Sequence, residues 1–494
     1  LAWALHPLQV SSVLYAVQRL QTMGTLFLVL ALLAYLHARR AQIQGRPSKG
    51  GMLVTILAWT LAMGCKEDSV LLPVYTLALE LTVLRFAAAD PRTTLVLRRG
   101  YAVAAAAAAL AYLFWVVPHY WQWDAHAGRD FSTLERLLTQ PRVLCMYLGQ
   151  ILLPLPQHMP FYYDWLQPSR GLLQPWTTLP AIVAVLGLLG LAWGLRRRLP
   201  LFALGVFLFF GAHAVASNVV ALELAFEHRN HFALVGAVLA VGSSLAFASQ
   251  RLRLSPAPQA ALCVALLTTL ACATLMRSHT WSNGISLLAA ATKAAPTSAR
   301  AWVDLCDAYF LAGGGVTPDN PHLEDAIEAC ANGTANAPDS LNSPALLVAL
   351  KTFRGDITSE DWTVFQQRLG SVRMSWDNTR APLILAYYAG LGVAVDKQQL
   401  LRAMATLERR AALSPSMLAS IGGTVMNTLD EPDLAIPYFA KAIEKAPPGD
   451  PFARDLAAEL RQKGRPDLAA GIELIGERRR SAGSGGPVES GPSP

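Results

Sequence analysis

The sequence predicts an all-α protein in two parts, a polytopic membrane domain of about eight crossings followed by a solenoid of helical repeats. Three observations carry that reading. Hydrophobic residues make up 53% of the 494 and charged residues only 15%, too apolar a mixture for one ordinary water-soluble globule. Nearly all the long apolar runs fall within residues 1–276, whereas 277–480 have the composition and period of a soluble helical domain. Residues 481–494, rich in Gly, Ser and Pro, read as a disordered tail.

In the membrane half, apolar runs at 20–38, 52–64, 69–84, 100–117, 175–195, 200–216, 232–249 and 257–276 are the expected crossings. Several are shorter than the ~20 residues that span a bilayer unaided, so tilted or paired segments are expected. The run 143–155 is shorter still and ends in Pro154 and Pro156, the pattern of a re-entrant or interfacial helix. Arginine and lysine gather in alternate loops, as Arg39, Arg40, Arg46 and Lys49, as Arg85, Arg92, Arg98 and Arg99, as Arg196 to Arg198, and as Arg251 and Arg253. By the positive-inside rule these loops are cytoplasmic. The chain start, Lys66-Glu67-Asp68, the segment 118–174, Phe226–Phe232 and everything after 277 then lie on the other side. Trp121, Trp123, Tyr162, Tyr163, Trp165 and Trp176 suit an aromatic belt there.

The formal charge of +7 is accounted for by these loops, so no nucleic-acid partner is expected. The chain begins at Leu1 inside an apolar stretch with neither Met nor signal peptide, which points to an N-terminally truncated domain. The six cysteines form no CxxC pair, and four of them lie in or beside apolar segments as small hydrophobes. Cys306 and Cys330 are the two that could bridge, and spacing alone leaves their state open.

Beyond Met276, Pro and Gly punctuate helices of period 3.6. In Asp433–Pro451 a small Ala435, a large Phe439, a small Ala442 and a terminating Pro447 follow the order of the second helix of a tetratricopeptide (TPR) repeat. Gly422 and Gly423 precede it, where close packing needs small residues. Ser298–Gly314 with His322–Pro338 forms a similar unit, with Ala326, Gly333 and Pro338 in order and a widened loop at 312–321. Residues 450–480 read as a degenerate closing repeat. A short TPR-like solenoid is expected, binding protein partners on a concave face.

Ionisable groups gather on the non-cytoplasmic side: His6, Arg19, Lys66, Glu67, Asp164 and the run Glu227-His228-Arg229. Charge at membrane depth is costly and tends to mark a site or a pathway. Each has a plainer alternative. Arg19 serves equally as a snorkelling anchor, Lys66 and Glu67 as a mutual pair, His6 as a helix cap, and Asp164 as solvated loop. Three adjacent polar groups at a helix entrance exceed what anchoring needs. Arg229, Lys66 and Arg19 are cations suited to a phosphate or diphosphate head group. His228 and His231 beside Glu227 lack a second cluster to complete a metal site, so no cofactor is expected, with a divalent metal left open.

HPLQ (6–9) with AVQR (16–19), then CKED and VLLP (65–73), YYDWLQPS (162–169), ASNVVALELAFEHRNHF (216–232), RSHTW (277–281) and helical repeats behind resemble the bacterial relatives of the transmembrane and TPR repeat-containing O-mannosyltransferases, of the GT-C class of membrane glycosyltransferases. The resemblance covers residues 1 to about 300. It implies a multi-pass protein of the bacterial inner membrane, with the repeats periplasmic. The implied reaction moves a sugar from a polyprenyl-phosphate donor to an acceptor protein or glycan. Lys66, His228, Arg229 and Arg19 would bind the donor phosphate, with His6, Glu67, Glu227 and Asp164 orienting them. The chain departs in carrying Ser11 and Ser12 where relatives commonly have an acid, and the catalytic acid is expected upstream of residue 1. Two other classes compete: a non-enzymatic scaffold recruiting envelope proteins, and an O-antigen ligase-like enzyme.

Overall fold

The computed structural model describes residues 1–121, 129–447 and 449–484. Among them it is helical throughout, with an isolated bridge between Gly171 and Gln174 in place of any strand. Trp123 and residues 485–494 of the expected tail lie outside the described residues. The chain divides into two compact units, Leu1–Ala301 and Trp302–Pro494.

The first unit contains α1 (Gln9–Leu14), α2 (Arg19–Ile43), α3 (Lys49–Cys65), α4 (Leu72–Leu79), α5 (Pro91–Ala111), α6 (Val117–Trp121), α7 (Thr133–Leu152), α8 (Thr178–Leu195), α9 (Pro200–Ala212), α10 (Asn230–Arg251), α11 (Pro256–Thr280) and α12 (Gly284–Ala294). Among the described residues five segments are long and apolar enough to cross a membrane: Ala16–Ile43, Pro91–Trp121, Thr178–Leu195, Glu227–Arg251 and Pro256–Thr280. The runs expected at 52–64 and 200–216 fall on shorter apolar helices, α3 and α9. That at 69–84 is broken into a 3-10 turn, α4 and a π-helical turn. The run at 143–155 is the later part of α7, which starts earlier, at a Ser132/Glu135 capping box. Its first turns carry buried Arg136, Thr139 and Gln140, which hid the helix from a search for apolar runs.

Two apolar clusters meet at α9 and α10. One joins Val143, Tyr147, Met159, Tyr163, Phe209 and Leu234; the other joins Leu28, Tyr35, Ala62, Leu72, Tyr75, Leu208 and Phe232. The two helices touch backbone to backbone. A Cβ on Gly236 would lie 2.5 Å from the Gly205 carbonyl oxygen and 2.6 Å from the Phe209 nitrogen, so only glycine permits the approach. Arg39, expected among the loop cations, is instead inside α2 and fully buried. Its Nε meets Glu80 Oε1 at 2.6 Å, and the Tyr35 hydroxyl donates to the same oxygen at 2.7 Å.

The second unit takes up α13 (Ala299–Ala312) from Trp302 and continues through α14 (Leu323–Asn336), α15 (Asn342–Arg354), α16 (Ser359–Ser371), α17 (Ala381–Gly390), α18 (Lys397–Arg410), α19 (Pro415–Asn427), α20 (Pro432–Lys445), α21 (Phe452–Gln462) and α22 (Pro466–Ser484). Residues 481–484 of the expected tail thus belong to a helix. Helix α14 packs on α15, α15 on α16, α17 on α18, α18 on α19, α19 on α20 and α21 on α22, and α15 also meets α17, α16 meets α18, and α20 meets α22. Ala435, Phe439 and Ala442 are buried, and Gly422 faces the Phe439 ring, where a Cβ would come within 2.7 Å. Gly423 faces open space. Gly333 is pressed against Trp302 and Ser343. Cys306 and Cys330 are bonded as a disulfide joining α13 to α14. The helices α15 to α18 lie between the two repeat-like segments legible in sequence.

Candidate functional site

The run Glu227-His228-Arg229 lies where the chain start, the loop 213–229, α7 and the end of α11 meet, whereas Arg19 and Glu67 stay exposed. Glu227-His228-Arg229 forms a 3-10 turn leading into α10. Its three side chains go to different partners. Glu227, 4% exposed, accepts from Arg277 Nη2 of α11 at 2.5 Å, and Arg277 Nη1 donates to the Met159 carbonyl at 2.9 Å. His228 stacks on Phe226 with ring centroids 5.1 Å apart. Arg229 donates through Nη1 to the carbonyls of Glu223 and Leu224 at 2.9 and 3.3 Å and lies over the Phe226 ring.

Arg136 of α7, fully buried, holds the loop ahead of that turn. Its guanidinium donates to the carbonyls of Asn218 (3.0 Å), Ala216 (2.6 Å), Glu223 (3.2 Å) and Leu222. Gln140 Nε2 donates to the Leu224 carbonyl, and the Tyr147 hydroxyl bridges both backbone groups of Phe226. Glu223 pairs with Arg129 at 3.1 Å and Arg300 at 3.4 Å. Burial alone would raise its carboxyl, but these two guanidinium groups outweigh it and hold Glu223 below the usual range. The charges of Arg129, Arg136 and Arg229 act on one another, and those of Arg229 and Lys66 act on His228.

Lys66 contacts Glu67 at 3.7 Å, while Glu67 itself remains largely exposed. Their neighbour Asp68 accepts from Gln21 Nε2 of α2 at 2.9 Å. Burial raises the Asp68 carboxyl, opposed by Gln21 and Lys66. Arg19 stays exposed at the start of α2, as a snorkelling cation would.

His6 and Asp164 take structural places. His6 is bonded at both ring nitrogens, Nδ1 accepting from Leu8 N–H at 3.2 Å and Nε2 lying 3.1 Å from the Ile151 carbonyl. Burial pushes the His6 imidazole below its ordinary value, so it is neutral. Asp164 accepts from the Ser298 hydroxyl at 2.5 Å and from the Arg300 N–H at 3.0 Å. His231 pairs with Gln9 Oε1 at 2.5 Å. Among the described residues no group of three or more His, Cys, Asp or Glu is gathered as a metal site.

Sequence reasoning missed Arg277, Arg136, Arg129, Glu223 and Asp68. Arg277 and Glu223 stand inside the quoted motifs, which was the available signal. Arg136 had none, its partners being 80 or more residues away.

The arrangement sets Arg136, Arg229 and Arg277 around a turn at a helix entrance, in a helical protein with five segments among the described residues long and apolar enough to cross a membrane. No family model matches the chain, and no curated protein matches it.

Proposed function

We propose that the protein is a membrane glycosyltransferase that moves a sugar from a polyprenyl-phosphate donor to a protein or glycan acceptor on the non-cytoplasmic side of a bacterial inner membrane. The carrying observation is the gathering of Arg129, Arg136 and Arg229 around Glu223, which pairs with Arg129 through its carboxylate and accepts from Arg136 and Arg229 through its carbonyl, beside apolar helices. A phosphate head group with a long apolar tail matches that combination. In the proposed reaction the acceptor oxygen attacks the anomeric carbon. The bond from that carbon to the phosphate oxygen breaks, and its electron pair leaves with the phosphate. The acceptor proton goes to a carboxylate base. Cations near the phosphate favour the step because negative charge develops there.

The helices of the second unit are read as a TPR-like solenoid of stacked pairs. Its groove, about 560 Å³, is lined by Asp307, Leu346, Ile384, Tyr387 and Met417 from α13, α15, α17 and α19, and is proposed to hold acceptor or partner protein.

The test is binding of radiolabelled polyprenyl-phosphate sugar to the full chain in lipid, wild type against Arg229→Ala, with thermal unfolding as control. A loss of about tenfold or more with the fold retained is expected, the size of one hydrogen bond to a charged group. Equal binding would refute the assignment. A second reading, a non-enzymatic scaffold, is favoured by Arg229 Nη1 and Glu227 Oε2 having protein partners already.

A further inference from the structure

The segment from α1 into α2 is polar on its inner face and apolar on its outer one. Gln9, Ser11, Ser12, Gln18, Gln21 and Thr25 are buried, while Val13, Leu14, Val17, Leu20 and Met23 are exposed. Lipid accounts for the outer face, but hydroxyl and amide groups turned into a membrane protein must find partners there. Several do not. Gln9 Nε2, Ser12 Oγ, Gln18 Oε1 and Thr25 Oγ1 are all buried and have no hydrogen-bond partner among the described residues. Thr25 is informative because threonines in a helix commonly turn back to a carbonyl one turn earlier. Thr22, Thr55, Thr76 and Thr82 all do so, and Thr25 does not.

These groups face the candidate site. Gln21 and Thr25 lie on one face of α2, and Gln18, which ends the 3-10 turn leading into it, precedes them by three residues. Gln21 holds Asp68 at 2.9 Å, and a Cβ on Gly24 would lie 3.1 Å from Lys66 Cβ and 3.5 Å from Ser69 Oγ. The stripe therefore runs beside the turn that carries Lys66, whose charge reaches His228.

We propose that the stripe Gln18, Gln21, Thr25, with Asp68, is the subsite for the sugar ring of the donor, next to the cations that hold its phosphate. This rests on the glycosyl-transfer reading above. A sugar presents adjacent hydroxyls that both donate and accept, which neutral amides, a threonine hydroxyl and a carboxylate match. A phosphate selects the cations instead, and a polyprenyl tail selects neither.

The experiment compares two probes on the full chain in nanodiscs: polyprenyl phosphate without sugar, and polyprenyl-phosphate mannose. Thr25→Val and Gln18→Leu each remove a partnerless buried polar atom, so neither makes the protein easier to unfold, which a thermal melt checks. Expected is a loss of about three- to tenfold in affinity for the mannose-bearing probe in each variant, with the bare phosphate bound as by wild type. Equal loss for both probes, or no loss for either, overturns the subsite and leaves the phosphate site standing. Wild type that binds neither probe overturns both. If both variants melt early, Gln18→Met and Thr25→Ala, which also remove those atoms, take their place. Retained discrimination between the probes in this pair would also overturn the subsite.

Discussion

Arg277 and Glu227, fifty residues apart in the chain, meet at 2.5 Å with each side chain 4% exposed. The pair ties the end of α11 to the turn that begins α10. Arg277→Ala would strand a buried carboxylate, at a cost of about 3–5 kcal/mol. Arg277→Gln with Glu227→Gln should recover much of that loss, because neither charge is then left alone. Unfolding in detergent, analysed as a double-mutant cycle, checks it, and additive single effects would show the pair to be uncoupled.

The contact of α9 with α10 depends on Gly205 and Gly236. Gly236→Ala would push a methyl onto the Gly205 carbonyl and the Phe209 nitrogen, backbone atoms that cannot swing aside. A loss of about 1–3 kcal/mol is expected, the usual size of an overpacking effect. Gly242→Ala in the same helix meets nothing within 4 Å and should melt like wild type or slightly higher.

The disulfide between Cys306 and Cys330 leaves Cys65, Cys145, Cys263 and Cys272 as thiols. Denatured protein should take up four maleimides before reduction and six after it. Replacing both bonded cysteines with serine should cost about 2–4 kcal/mol in the second unit.

Asp361 caps α16 through Thr358 and accepts from Lys351 Nζ at 2.6 Å. Burial would raise its carboxyl, but Lys351 and Thr358 prevail and its folded value is lowered. Stability from this group is therefore complete above the unfolded carboxylate value of about 3.9 and is lost as pH falls through the lower folded one. Asp361→Asn should lower stability at neutral pH and flatten the acid limb. Melts across pH 2 to about 6 would show whether the two curves converge at low pH, as the linkage requires.

What was legible in sequence was what repeats locally. Long apolar runs marked the five membrane-length segments, and the spacing Ala435, Phe439, Ala442 marked a buried helix face. Glu227 stood out because a carboxylate is costly to desolvate beside an apolar run of membrane length. Its partner did not, since an arginine closing an apolar helix is also what any interface anchor looks like. Arg136 was hidden for a different reason: its acceptors are backbone carbonyls, which carry no residue identity. His6 and Asp164 had the chemistry of site residues but are consumed in bonds to Leu8, Ser298 and Arg300, a distinction that needs coordinates.

The guanidinium of Arg136 is solvated by carbonyl dipoles, and so is one nitrogen of Arg229. Dipoles satisfy a cation's hydrogen bonds without cancelling its net charge, so its field persists beyond the first layer of atoms. Anions approaching this turn would accordingly be drawn in faster than diffusion alone allows, and the advantage would fade as added salt shortens the Debye length below about 10 Å.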